Sequence, residues 1–140
     1  MTSTFSHTSP ITASRETAWR ALQLADTWSN IGPIDEVWDA EYADNGTLTA
    51  YRWSARAAGR SWNGTATTVE AEPDRLMRLD LVSSEIAGAI TVELGDEKLT
   101  VSMEAAPKGL LAQMFWGTVK TALEKGLATQ VEAFARGLSQ

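Results

Sequence analysis

The segment 107-PKGLLAQMFWGTVKTALEKGLATQVEAFARGLSQ-140 decides the fold. Trp116, Val119, Leu123, Leu127, Val131, Phe134 and Leu138 recur at steps of three or four, so a helix puts them on one face, with Lys120, Lys125 and Gln130 opposite. Pro107 suits a first helical turn, where its missing N–H costs nothing, and no later proline interrupts the run. Gly109, Gly117, Gly126 and Gly137 each weaken an interior turn by roughly 1 kcal/mol relative to alanine, so the helix depends on packing against something else. Leu110, Leu111, Met114 and Phe115 make its start apolar almost all round, more than one buried stripe requires. The spacing predicts one helix from about Pro107 to Leu138.

Toward the N-terminus the hydrophobic period changes to two. Leu99, Val101 and Met103 share a face of a strand ending at Ala106; Ile86, Gly88, Ile90, Val92 and Leu94 share a face of the one before, with Gly95-Asp96 turning between them. Strands over 60–71 and 76–83 flank a turn at Glu72-Pro73-Asp74. Tyr51, Trp53 and Ala55 alternate with Arg52, Ser54 and Arg56, and Trp38, Ala40 and Tyr42 alternate with Asp39 and Glu41. Asp44-Asn45-Gly46-Thr47 supplies the hairpin turn between these two strands and Ala58-Gly59 the next one. Gly64, Ala66 and Gly88 fall on the inner-looking faces, where small residues permit bending. Residues 4–11 form a candidate first strand. Ser14 then stands as an N-cap before the helical pattern Ala18, Trp19, Leu22, Ala25, and a shorter helix over 26–31 ends at Gly32-Pro33. The expected fold is α+β: about seven antiparallel strands curved around a long C-terminal helix, with two short helices after the first strand. Asp39, Glu41, Arg52, Arg56, Arg78, Asp80, Glu93 and Glu104 are expected on the solvated outer face.

At 140 residues the chain is expected to be one domain, 1–140, able to bury a core without staples. It has no cysteine and one histidine, which excludes disulfides, thiolate catalysis and cysteine- or multi-histidine metal sites. No metal or other cofactor is expected. A net charge of −6 with scattered Lys and Arg opposes nucleic acid as a partner. No apolar run approaches the ~20 residues of a bilayer helix, so no integral membrane association is expected. Residues 1–10 are polar and lack the basic start and apolar core of a signal peptide, which points to a cytoplasmic protein. Six tryptophans are the compositional outlier.

The element order, together with Ile11-Thr12-Ala13-Ser14, Ala18-Trp19-Arg20-Ala21-Leu22 and Trp28, resembles the START-like superfamily, also called Bet v 1-like, SRPBCC or helix-grip. Within it the chain is similar to the polyketide cyclase and lipid-transport branch. Ala18 departs from the larger aliphatic residue often found before the tryptophan. The resemblance implies an apolar cavity between the concave sheet and the long helix, holding a lipid, polyketide, hormone or aromatic metabolite. It carries no universal catalytic residue onto this chain.

Tyr42, Tyr51, Trp38, Trp53 and Trp62 fall on alternating positions of neighbouring strands, as a ligand-binding wall would, and Met103, Leu111, Met114 and Phe115 complete the candidate lining. His7, in phase with Phe5 and Ser9, is the weak catalytic candidate, because imidazole titrates near neutrality. Asp35 and Glu36 are adjacent on a strand, point to opposite faces and cannot act as a pair. The leading expectation is a carrier or binder of an apolar or aromatic small molecule. The alternative is a cyclase or dehydratase in which His7 moves protons and Tyr42 or Tyr51 hydrogen-bonds a carbonyl. A third class, a module for a protein partner of unknown identity, would need a large exposed apolar patch.

Overall fold

The computed structural model describes residues 2–30, 34–57, 60–114 and 116–138. Seven strands form one antiparallel sheet: β1 (Ser3–Pro10), β2 (Ile34–Tyr42), β3 (Leu48–Ala57), β4 (Arg60–Glu72), β5 (Leu76–Ser83), β6 (Ile86–Gly95) and β7 (Lys98–Pro107). The spatial order β1-β7-β6-β5-β4-β3-β2 is a meander closed at one edge by the first strand. Between β1 and β2 lie α1 (Arg15–Leu22) and a 3-10 turn (Ala25–Asn30), and after β7 come α2 (Leu110–Met114) and α3 (Trp116–Leu138). The turns expected at Gly32-Pro33 and Ala58-Gly59, and Phe115, lie outside the described residues.

Local chemistry sets the element ends. Ser14 caps α1 in an extended conformation, its Oγ accepting the Thr17 N–H at 3.1 Å. The β2–β3 hairpin turns at Gly46, whose φ of +89° is open to glycine without steric cost, and Asn45 Oδ1 accepts the Thr47 N–H. At the end of α1, Gln23 accepts the Leu48 N–H on its Oε1 at 3.0 Å, which ties the helix to the start of β3.

The sequence predicts a helix from about Pro107, and the structure starts it at Leu110. Pro107 ends β7, opposite Ile86, and the following Lys108 and Gly109 N–H groups both donate to the Glu85 carbonyl. A terminal strand position tolerates proline's missing donor as well as a first helical turn does. That clamp by the β5–β6 turn delays helix onset to Leu110. The shorter second helix is likewise a 3-10 turn.

The long helix keeps its expected face: Trp116, Val119, Leu123, Leu127, Val131 and Phe134 are buried, joined by Ala135. Leu138 is half-buried, as is Trp19, which packs against the core while its neighbours Ala18 and Leu22 occupy the buried side of α1. Helix α3 contacts β1, β7, the 3-10 turn and β3, so it reaches from one edge of the sheet order to the strand next to the other edge. This contact pattern is that of a curved sheet gripping a helix.

Candidate functional site

Inward-facing side chains are read from the register. One row crosses Phe5, Met103, Ile90, Leu79 and Thr68; the next crosses Ser3, Ala105, Gly88, Leu81, Ala66 and Tyr51. The first row is dominated by large side chains and the second by small ones. Beyond them Trp53 stands opposite Gly64, and Ala55 opposite Trp62. A methyl group at Gly64 would collide with the Trp53 indole, so glycine lets that ring lie flat across β4. The indole N–H then donates to the Thr65 carbonyl at 2.9 Å.

Tyr51, Trp53, Trp62 and Met103 are buried, at 2%, 5%, 5% and 5% exposure. Tyr51 also stacks on Trp28 of the 3-10 turn, with ring centroids 6.4 Å apart and an interplanar angle of 28°. Sequence patterning does not show Trp28 as part of this wall, because its place depends on how the turn folds over β3. Its indole N–H donates to the Leu22 carbonyl, which locks the turn to α1.

Three expected wall residues do not join this group. Trp38, Tyr42 and Met114 are exposed at 39%, 50% and 65%. For Trp38 the reason is a β-bulge: Val37 pairs with Trp53 and takes the inner side, Trp38 pairs with exposed Arg52, and the register slips before Glu41. Asp39, at φ +53°, absorbs the extra residue. The slip brings Tyr42 back opposite Leu48 beside the 3-10 turn, where its hydroxyl accepts the Ala25 N–H at 3.4 Å. Met114 and Leu110 stand one turn apart on α2, both in solvent. The side chains of Leu111 and Phe115 lie outside the described residues.

His7 sits on edge strand β1, five steps across the sheet order from β3. Its Nε2 lies 3.2 Å from the Glu132 carboxylate of α3, with the imidazole about a quarter exposed at 27%. The structure therefore does not bring His7 to the aromatic wall. It joins β1 to the helix.

Electrostatically the interior is bland. Among the described residues the buried polar side chains are Ser9 and Ser83, no charged side chain is buried, and no cluster of carboxylate and imidazole groups has metal-binding spacing. Ser83 is satisfied in the β5–β6 turn, where its Oγ accepts the Ile86 N–H at 2.9 Å. One buried hydroxyl, that of Tyr51, has no hydrogen-bond partner among the described residues. Burial pushes its phenol well above the ordinary tyrosine range. Asp39, Glu41, Arg52, Thr65 and Thr67, together with Tyr51 and Ala66, line an open groove of about 600 Å³ across β2–β4. Arg52 pairs there with Asp39 at 3.8 Å.

Comparison with known proteins agrees with this geometry. Residues 2–138 match the family described as polyketide cyclase / dehydrase and lipid transport. The chain belongs to that family. It lies within the START/Bet v 1-like superfamily. Among solved structures, the Zhui aromatase/cyclase of Streptomyces sp. R1128 superposes with a TM-score of 0.78 at 13% identity, covering 99% of this chain and 94% of that one. A START superfamily protein of Mycobacterium smegmatis gives 0.61 at 16% identity, covering 93% and 97%. Major latex-like protein 151 of Panax ginseng gives 0.58 at 13%, covering 91% and 98%. At these identities the likeness establishes the fold alone. Among curated proteins none matches this sequence. Membership of the family implies binding of a hydrophobic small molecule, and no helix among the described residues is long and apolar enough to cross a membrane.

Proposed function

We propose that this protein binds and carries an apolar or aromatic small molecule between its sheet and α3, without transforming it. The observation that carries this proposal is the character of the interior: an aromatic wall of Tyr51, Trp53, Trp62 and Trp28, with no buried charge among the described residues. Such surroundings bind apolar rings through buried area and offset stacking. They are poorly suited to acid–base work, which needs a group whose pKa lies near the working pH. Tyr51, shifted upward by burial, is a hydrogen-bond donor and a poor proton carrier.

N-phenyl-1-naphthylamine, an apolar fluorescent probe, tests the idea directly. Saturable binding with quenching of tryptophan emission is expected. Ala66→Leu, which adds bulk opposite Tyr51, should weaken it while far-ultraviolet circular dichroism stays unchanged. Absence of saturable binding, together with no small molecule in native mass spectra, would sink the carrier proposal.

The His7–Glu132 contact favours a second proposal, a cyclase or dehydratase. A carboxylate 3.2 Å from an imidazole can orient it as a general base, as in other histidine–carboxylate pairs. Under that mechanism His7→Ala lowers turnover of a polyketide-type substrate about 10²–10⁴-fold with little change in affinity. Unchanged turnover in that variant would remove histidine chemistry.

A further inference from the structure

We propose that Tyr51 is the polar anchor of the ligand site, its hydroxyl donating to the carbonyl oxygen of a neutral, flat or extended, otherwise apolar ligand laid along the inner face of the sheet. This proposal rests on the carrier function above and names the ligand class.

Two independent observations meet at this residue. The first is the hydroxyl itself. Buried indole donors elsewhere are satisfied: Trp28 donates to Leu22, Trp53 to Thr65 and Trp116 to Ser3. Native interiors pair nearly all such groups, so the unpartnered Tyr51 hydroxyl, on a side chain only 2% exposed, is the exception that asks for a partner. Phenylalanine would stack on Trp28 equally well without stranding a polar atom.

The second observation is the row on which Tyr51 stands. From β3 to β1 it runs Tyr51, Ala66, Leu81, Gly88, Ala105 and Ser3, while the adjacent row carries Leu79, Ile90, Met103 and Phe5. Small side chains beside a row of large ones make a shallow trough across the inner face that is covered over, Ala66 and Ala105 being 1% and 0% exposed, so a ligand laid there displaces its cover. At ~4.8 Å per strand its five steps span about 24 Å. The Tyr51 hydroxyl marks the β3 end of that trough, and Ser3, which receives the Trp116 indole N–H at 3.3 Å, marks the β1 end.

The chemistry of the two ends defines the class. A phenol donor is complementary to a ketone, quinone or ester oxygen. With no buried Lys or Arg among the described residues, an ionised carboxylate would enter without a counter-charge, which disfavours free acids. A pure hydrocarbon would leave the hydroxyl still unpaired.

Fluorenone and fluorene, of the same shape with and without a carbonyl, separate these possibilities by calorimetric titration against wild type and Tyr51→Phe. Wild type is expected to prefer fluorenone about tenfold, the worth of one net hydrogen bond. Tyr51→Phe should abolish the preference by weakening fluorenone and not fluorene, and the carbonyl stretch of bound fluorenone should move to higher wavenumber in the variant. Equal, saturable binding of both compounds to wild type overturns the anchor and leaves the carrier function standing. A preference that survives in Tyr51→Phe also overturns it. No binding of either compound overturns both proposals.

Discussion

The two halves of the sheet differ in kind. From β5 through β7 to β1 the strands pair without a register shift, and their inward residues are chiefly aliphatic and almost wholly buried. From β2 to β4 the register slips more than once, a non-glycine residue inside a strand, Asp39, adopts positive φ, the wall is aromatic, and a buried hydroxyl lacks a partner. In the first half the strands keep one register and positive φ is confined to a turn residue, Glu97 at +59°, which makes it a platform for α3. Departures from that regularity gather in the second, where proteins commonly locate function.

Breaking the platform should have the largest effect. Leu99→Ala opens a cavity in a fully buried position two rows beyond the Phe5–Met103–Ile90 row, and is expected to cost about 2–5 kcal/mol in urea unfolding. Probe affinity, measured where the protein is still folded, should hardly change. If affinity collapsed while the fold persisted, the division between the halves would be lost.

The aromatic half answers to pH. Burial raises the Tyr51 pKa, so the unfolded chain loses that proton near pH 10 while the folded chain keeps it. The stability this group supports is intact below pH 10 and is lost as pH rises above it, by up to about 1.4 kcal/mol per pH unit. Tyr51→Phe should flatten the alkaline limb of the stability curve relative to wild type by that one proton.

At neutral pH the same variant should raise the stability of the unliganded protein by about 1 kcal/mol, since a stranded hydroxyl disappears. Thermal unfolding with and without fluorenone sharpens the point, because the ligand should stabilise wild type more than the variant. Asp39→Gly is a smaller test. Relief of the positive φ set against loss of an exposed ion pair should leave a net gain under about 1 kcal/mol. His7→Ala should change stability least, by about 0–1 kcal/mol, the usual worth of a pair as exposed as His7–Glu132.

Much of this was legible in the residues. The apolar stripe from Trp116 to Phe134, the Asn45-Gly46 turn, the Ser14 cap and the alternation of β3 and β5 through β7 are local signals, and period and turn chemistry suffice to read them. Tyr51, Trp53, Trp62 and Met103 were legible as inward because their strands hold one phase, and all four are buried. Trp38 was not, because a bulge changes the phase by one residue and nothing local to the Trp38–Glu41 stretch announces it. Nor was the break before Leu110, since the Glu85 carbonyl that holds Lys108 and Gly109 arrives from another turn.

Element order, the helix-grip class and the aromatic content of the inner face follow from periodicity and side-chain type. Tertiary structure alone decided which aromatics converge, that Trp28 covers Tyr51, that His7 meets Glu132, and that one hydroxyl is left without a partner. Those facts depend on register and on contacts between residues far apart in the chain, and a one-residue slip in a strand is enough to reverse them.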